Sequence, residues 1–128
     1  MPLPPPSPAT TCLVTGASSG IGAQLARQLA QRGRGVTLVA RREDRLRSLA
    51  EELAGRHGVR TEVVACDVSV ASERAELVEE VGRRGLGMAL LVNNAGFSTT
   101  GPVVDTDHDR EVALVRTNVE AVVDLCAL

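Results

Sequence analysis

Thr15-Gly16-Ala17-Ser18-Ser19-Gly20-Ile21-Gly22 holds three glycines within seven residues. An apolar run, Cys12-Leu13-Val14, leads into it, and a helical pattern, Ile21, Leu25, Leu29, leads out. A glycine-rich turn between a strand and a helix start makes an anion site. The first helical N–H groups have no intrahelical partner, and the helix dipole adds partial positive charge there. In this reading Gly16 lets the chain leave the strand in a tight turn. Gly20 allows close approach of a pyrophosphate, and Gly22 lets the helix pack on the strand. Ser18 and Ser19 add hydroxyl donors. The spacing is G-x-x-x-G-x-G, which differs from the G-x-G-x-x-G of the common dinucleotide fingerprint.

Outward from this loop, strands and helices alternate. Residues 11–15 read as the first strand and 19–32 as the first helix, with Gly33 past its end. Residues 36–40 form a second strand, and the helix after it, reaching about Arg56, places Leu46, Leu49, Ala50 and Leu53 on one face. His57-Gly58 is a turn, and 59–65 is a third strand. Ser69 is the expected cap of a third helix with Val70, Leu77, Val78 and Val81 inward, broken by Gly85 and Gly87. Residues 88–92, Met-Ala-Leu-Leu-Val, are a continuous apolar run of the kind buried on both faces. A loop follows to Val104. Thr106 is the expected cap of a last helix with Val112, Val115, Val119, Val122 and Cys126 inward. This βαβαβαβα order predicts an α/β fold with a doubly wound parallel sheet.

Composition bounds the function. The 128 residues allow one domain. A chain of this size buries roughly two-thirds of its unfolded surface, enough for a core. Phe97 is the one aromatic residue, which excludes the stacking platforms of nucleic-acid binders. The net charge of −2 comes with no basic stripe. All 14 basic residues are arginine, so chemistry that needs a lysine is absent. Cys12, Cys66 and Cys126 lie far apart in apolar contexts and read as buried thiols of a reducing cytoplasm. No apolar run approaches a membrane span, and no signal peptide is expected. Five of the 6 prolines fall in residues 1–8, so residues 1–10 read as a disordered leader before a domain of 11–128. Pro2-x-x-Pro5 lacks the flanking arginine of an SH3 ligand.

The glycine loop resembles the cofactor motif T-G-x-x-x-G-x-G of the short-chain dehydrogenase/reductase family, matched at Thr15, Gly16, Gly20 and Gly22. Cys66-Asp67-Val68, Asn93-Asn94-Ala95-Gly96 and Thr117-Asn118-Val119 continue the resemblance over essentially everything after residue 10. It implies a Rossmann-type NAD(P)-binding fold of strand order 3-2-1-4, stopping after the fourth βα unit. It implies hydride transfer between a nicotinamide dinucleotide and a small carbonyl or alcohol substrate, and a homo-oligomer at full length. Neither a nucleic acid nor a membrane is an expected partner.

The expected cofactor contacts in the loop are Gly16, Ser18, Ser19, Gly20, Ile21 and Gly22. At the end of the second strand an acidic residue would select NAD, and an arginine would accommodate the 2′-phosphate of NADP. Ala40 offers no carboxylate there, and Arg41-Arg42 follows. A planar guanidinium suits a phosphate. NADP is therefore expected over NAD, through Arg41, while Glu43 and Asp44 read as first-turn residues of the second helix. By resemblance, Asp67 and the Val68 backbone meet the adenine. Asn94, Ala95 and Gly96 line the site, with Asn93 as a brace. Asn118 corresponds to the family's catalytic asparagine, whose opened backbone holds a proton-relay water.

Two other features read as bland. Asp105-Thr106-Asp107-His108-Asp109 starts like a calcium loop, but Arg110 stands where glycine is needed and Arg116 where the bidentate glutamate belongs. No metal is expected there. His57 and His108 read as exposed residues of a turn and a helix start.

The family's reaction needs a tyrosine to pass the proton and a lysine to lower that tyrosine's pKa. The sequence contains neither residue. The expectation is the cofactor half of an oxidoreductase, inactive alone. A non-catalytic dinucleotide-binding protein and an inert truncated product are the alternatives.

Overall fold

A computed structural model describes residues 2–128; Met1, the first residue of the expected leader, lies outside them. Four strands run in the order β1 (Thr10–Thr15), β2 (Val36–Ala40), β3 (Thr61–Ala65) and β4 (Gly87–Val92). Between them lie α1 (Gly20–Gln31), α2 (Glu43–His57) and α3 (Ala71–Arg83). After β4 come a 3₁₀ turn (Val103–Asp105), α4 (His108–Val115), a π-helical turn (Arg116–Glu120) and α5 (Ala121–Ala127). All strand pairs are parallel, in the expected spatial order β3-β2-β1-β4.

Period-two alternation along β1 and β2 builds two cores. Cys12, Val14, Val36 and Leu38 face α1 and α2, with Leu46, Leu49, Ala50 and Leu53 of α2 buried as expected. Leu13 and Val39 face α3 and α5 and pack with Leu77, Val81, Ala121 and Leu125. On this side Thr11 and Thr37 are also buried, and their hydroxyls satisfy each other at 2.9 Å. The buried stripe of α1 is Ala23, Ala26 and Ala30, whereas Ile21 is 74% exposed. Small side chains let α1 sit close to the sheet, which leaves Leu25 and Leu29 half-buried on its shoulders. The C-terminus of α1 is closed by Gly33 at φ 75°, with N–H bonds from Gly33 to the Ala30 carbonyl and from Arg34 to the Leu29 carbonyl.

Four further expectations need correction. The run in β4 is not buried on both faces: Met88 is exposed and Leu90 to Val92 are half-buried, because among the described residues β4 pairs with β1 alone. Val70, not Ser69, is the N-cap of α3, and Val70 is itself exposed. Ser69 instead donates N–H and Oγ–H to the Asp67 carboxylate. Asp107, not Thr106, caps α4 by accepting from the N–H groups of Asp109 and Arg110. The last helical segment buries Ala121 and Leu125, while Val115, Val119 and Cys126 are exposed. The π turn inserts a wider turn between α4 and α5 and rotates the helix face that a steady 3.6-residue period assigns. The Cys126 thiol is thus not buried, unlike those of Cys12 and Cys66.

Ahead of β1, Thr10 donates its N–H to the Ser7 carbonyl at 3.1 Å, and Arg34 donates to the Pro4 carbonyl at 2.9 Å. No helix of the described residues is long and apolar enough to cross a membrane.

Candidate cofactor site

The C-terminal ends of the four strands meet at one rim, where they frame an open cleft of about 610 Å³. Its wall is built from the β1–α1 loop (Gly16, Ser18, Ser19), the β2 end (Val39 to Arg42), the β3 end (Cys66 to Ser69) and the β4 end (Asn94 to Phe97). Arg110 and Ala113 of α4 and Thr117 of the π turn close one side. In open parallel sheets ligands bind in the crevice outside the carboxyl ends of the strands, where the strand order reverses. Here that point lies between β1 and β4.

The β1–α1 loop is held by side chains of its neighbours. The Thr15 hydroxyl accepts the N–H groups of Asn94 and Ala95, each at 3.0 Å, and donates to the Val92 carbonyl at 3.4 Å. The Asn94 side-chain amide donates to the carbonyls of Thr15 and Gly16 at 3.1 and 3.2 Å. Bracing therefore falls to Asn94 rather than Asn93, whose amide reaches the Cys126 sulfur at 3.4 Å. A Cβ on Gly22 would stand 2.4 Å from the Gly16 carbonyl oxygen and 2.5 Å from the Asn94 amide, so that position admits only glycine. Gly20 is different. Its φ of 58° favours glycine, but beyond its chain neighbours and its own helix no described atom lies within 4 Å of where its Cβ would be.

Ser18 and Ser19 stand at the start of α1, and Ser19, its N-cap, makes no side-chain capping bond. The hydroxyl and the first-turn N–H groups are thereby left for another partner. Gly20 and Ile21 lie around the corner, beside a second depression lined by the α1 start. Arg41 and Arg42 are exposed on the cleft, and neither guanidinium makes a hydrogen bond or ion pair among the described residues. Glu43 and Asp44 occupy the first turn of α2.

Asp67 and Val68 lie opposite. The Asp67 carboxylate accepts from the Ser69 N–H at 3.0 Å and the Ser69 hydroxyl at 2.7 Å, while its own N–H donates to Glu73 Oε2 at 2.6 Å. The same turn is held from behind by Arg74, which is 2% exposed and donates to the Val68 carbonyl at 2.7 Å. Burial, helped by the negative charges of Glu73 and Asp67, pushes the adjacent Cys66 thiol up to about 11. That thiol is protonated at neutral pH.

Asn118 sits in the π turn. Its Oδ1 accepts from the Phe97 N–H at 3.1 Å, and its Nδ2 donates to the Phe97 carbonyl at 2.8 Å. The Arg110 guanidinium lies 5.5 Å from the Phe97 ring centroid, a cation–π distance. His57 ends α2 and His108 begins α4, both away from the cleft lining.

Gly16, Ser18, Ser19, Arg41, Asp67, Val68, Asn94, Ala95 and Gly96 line the cleft, with Gly22 behind the loop, Gly20 and Ile21 at its outer corner, and Asn118 outside the lining with its amide committed to Phe97. Thr15, Arg74 and the Phe97–Arg110 pair were not singled out by role in the sequence. Arg74 had a signal: it falls on the same helical stripe as Val70, Leu77 and Val81, and an arginine on an apolar stripe needs a buried partner.

The cleft fits a dinucleotide on three counts. The α1 start has spare N–H donors, Ser18 and Ser19 bring hydroxyls to the lining, and Arg41 and Arg42 are cations without a hydrogen-bond or ion-pair partner among the described residues, beyond Ala40.

A family model described as short chain dehydrogenase matches residues 10–128. The chain belongs to the short-chain dehydrogenase family. It is 40% identical over 104 residues to the very-long-chain 3-oxoacyl-CoA reductase of Mycosarcoma maydis, covering 80% of this chain and 30% of that one. Among solved structures, the L-sorbose reductase of Gluconobacter frateurii, complexed with NADPH and L-sorbose, superposes with a TM-score of 0.87 at 34% identity. That match covers 92% of this chain and 45% of the other. The short-chain dehydrogenase of Sphingobium yanoikuyae, in complex with NADPH, gives 0.83 at 34% identity, over 92% and 46%. This short-chain dehydrogenase chain therefore spans about a third of the curated relative and just under half of the two solved structures.

Proposed function

We propose that these residues form the NADP-binding half of an oxidoreductase acting on a carbonyl or alcohol. The observation that carries this reading is the free Arg41–Arg42 pair on the rim of a cleft whose β2 end carries no carboxylate. The N–H groups of the α1 start and the Ser18 and Ser19 hydroxyls would hold the pyrophosphate. Arg41 would read the 2′-phosphate through its two-pronged donor face, and NAD would bind more weakly. Asp67 and the Val68 backbone would border the adenine. Asn94, Ala95 and Gly96 would border the nicotinamide ribose, with Gly16 at the turn and Gly22 fixing its approach. When bound, the cofactor supplies hydride transfer to or from the substrate carbon.

Asn118 would contribute to proton handling through the opened backbone of the π turn. The acid/base pair that the family uses is not among these 128 residues, since they contain no tyrosine and no lysine. The chain therefore binds cofactor without turning substrate over. In the cell we place it in the cytoplasm, with its thiols reduced and with oligomer formation belonging to the whole protein.

Calorimetric titration of the 128-residue chain with NADP and NAD, followed by nicotinamide absorbance with a panel of ketones and alcohols, tests this. Tighter binding of NADP with no turnover is expected. Equal affinities would remove the role of Arg41, and cofactor-dependent turnover by a clean preparation would place a proton donor among these residues.

A further inference from the structure

Arg74 is the largest fully buried side chain among the described residues. Its partners come from two separate parts of the chain. On one side Nη1 donates to the Val68 carbonyl at 2.7 Å, at the cleft wall where β3 ends. On the other, Nη2 donates to Glu120 Oε1 at 2.7 Å and Nε to the Asp124 carboxylate. Glu120 is the last residue of the π turn that carries Asn118, and Asp124 is one turn on, in α5. Their side chains are 50% and 38% exposed, so the buried cation is reached by carboxylates at the protein surface.

This arrangement is more specific than a salt bridge. A guanidinium has donors in one plane and fixed directions, so three acceptors bound at once fix their mutual positions. An ammonium in the same place is a point charge that cannot present the same fork. The other side-chain hydrogen bonds of the turn that Arg74 holds are local, from Asp67 to Ser69 and to Glu73 at the start of α3, while Cys66 and Val68 pack without directional bonds against Leu77, Val81, Ala121 and Leu125. Without Arg74, Val68 has no link to the π turn in the hydrogen bonds of the described residues.

We infer that Arg74 is a positioning residue, which holds the Asp67–Val68 wall of the cleft in register with the Asn118-bearing turn and so tunes affinity for the adenosine half of the cofactor. The inference rests on the cofactor reading given above. Arg74 touches no ligand in this account. It acts through the Val68 carbonyl, and Glu120 and Asp124 set where that carbonyl stands.

The test uses Asp124→Asn and Glu120→Gln, which loosen the fork from the exposed side and keep Arg74 itself, together with Arg74→Lys. Glu52→Gln is the control. It breaks the bidentate Arg27–Glu52 pair between α1 and α2, away from this wall. Affinities for adenosine 2′,5′-bisphosphate and for nicotinamide mononucleotide are measured by calorimetry, with amide hydrogen exchange at Asp67 and Ser69 in the ligand-free proteins. The expected result is a roughly twofold to thirtyfold loss for the bisphosphate in all three variants, no rescue by lysine, and an unchanged mononucleotide affinity. Faster exchange at Asp67 and Ser69 is expected in those variants and not in Glu52→Gln. Unchanged exchange in Asp124→Asn and Glu120→Gln overturns the positioning role by itself. Faster exchange with unchanged bisphosphate affinity shows a structural clamp only and overturns the link to the cofactor. No binding of the bisphosphate by the unsubstituted chain overturns the cofactor reading instead, while the exchange data still judge the clamp. Equal losses for both ligands and in Glu52→Gln point to general destabilisation and reject the inference.

Discussion

The hydroxyl of Thr15 receives the main-chain N–H groups of both Asn94 and Ala95, each at 3.0 Å. One side chain at the end of β1 thus shapes the end of β4. The Asn94 amide answers by holding the Thr15 and Gly16 carbonyls. The β1–α1 loop and the opposite wall of the cleft are in this way a single hydrogen-bonded unit.

Replacing Thr15 with valine keeps the shape and deletes the acceptor. Thr15 is buried, and two partly buried N–H groups lose their partner. A buried unsatisfied donor costs about 1–3 kcal/mol. Thr15→Val is expected to lower stability by about that much in urea denaturation at unchanged m-value. A loss under about 0.5 kcal/mol would show that water replaces the hydroxyl.

Arg41→Ala is expected to weaken NADP and leave NAD unchanged. A hydrogen bond to a charged group contributes about 1.5–3 kcal/mol, so the loss in NADP affinity should be roughly tenfold to a hundredfold. Arg42, the N-cap of α2, stands next to it on the rim. If Arg42→Ala removes the preference and Arg41→Ala does not, the 2′-phosphate is read one residue later.

The two edges of the sheet differ in protection. On β3, Glu62 pairs with Arg60 and Arg84, and Arg84 pairs in turn with Glu80. Desolvation alone would raise the Glu62 carboxyl, but the two guanidinium groups hold it below its usual range. β4 has no charged residue between Gly87 and Val92, and Met88 is 40% exposed. An unguarded edge invites pairing with another chain. The 128-residue chain is therefore expected to associate in light scattering. Met88→Lys should suppress this, and NADP at a hundredfold excess over its Kd should raise stability by about 2.7 kcal/mol. A monodisperse, high-melting monomer without cofactor would show the four-stranded sheet to be self-sufficient.

The cysteines separate by exposure. At pH 8 a thiol reagent is expected to label Cys126 quickly and Cys12 and Cys66 only on unfolding. Cys66 also gives a pH signature. Its thiol is raised from 9.0 to about 11 in the fold, so the unfolded chain loses that proton first. The native state is then penalised as pH rises from about 9 through 11, and stability should fall across that window. Melts of Cys66→Ser over that range should show a shallower fall, and an identical slope would assign the loss to other groups.

The sequence alone determined the element order, the parallel sheet, the α2 face and the place of the loop. Those features are local: a glycine turn, an apolar run and a helical stripe each act over a few neighbouring residues. The alternation of strands with helices was enough to predict a doubly wound sheet, because a parallel sheet needs helical crossovers that cover its faces. What the sequence left open depends on atoms far apart along the chain. Arg74 stands on an apolar stripe, and only the fold brings Glu120 and Asp124 to it, 46 and 50 residues on. Asn93 and Asn94 are chemically identical, and the path of the chain just past β4 decides which amide meets the β1–α1 loop. The valines after Thr106 read as one continuous stripe, but the π turn at Arg116–Glu120 rotates the later part, so Ala121 and Leu125 enter the core instead. A helical period is read from spacing alone, and an inserted wider turn changes the phase without changing the residues.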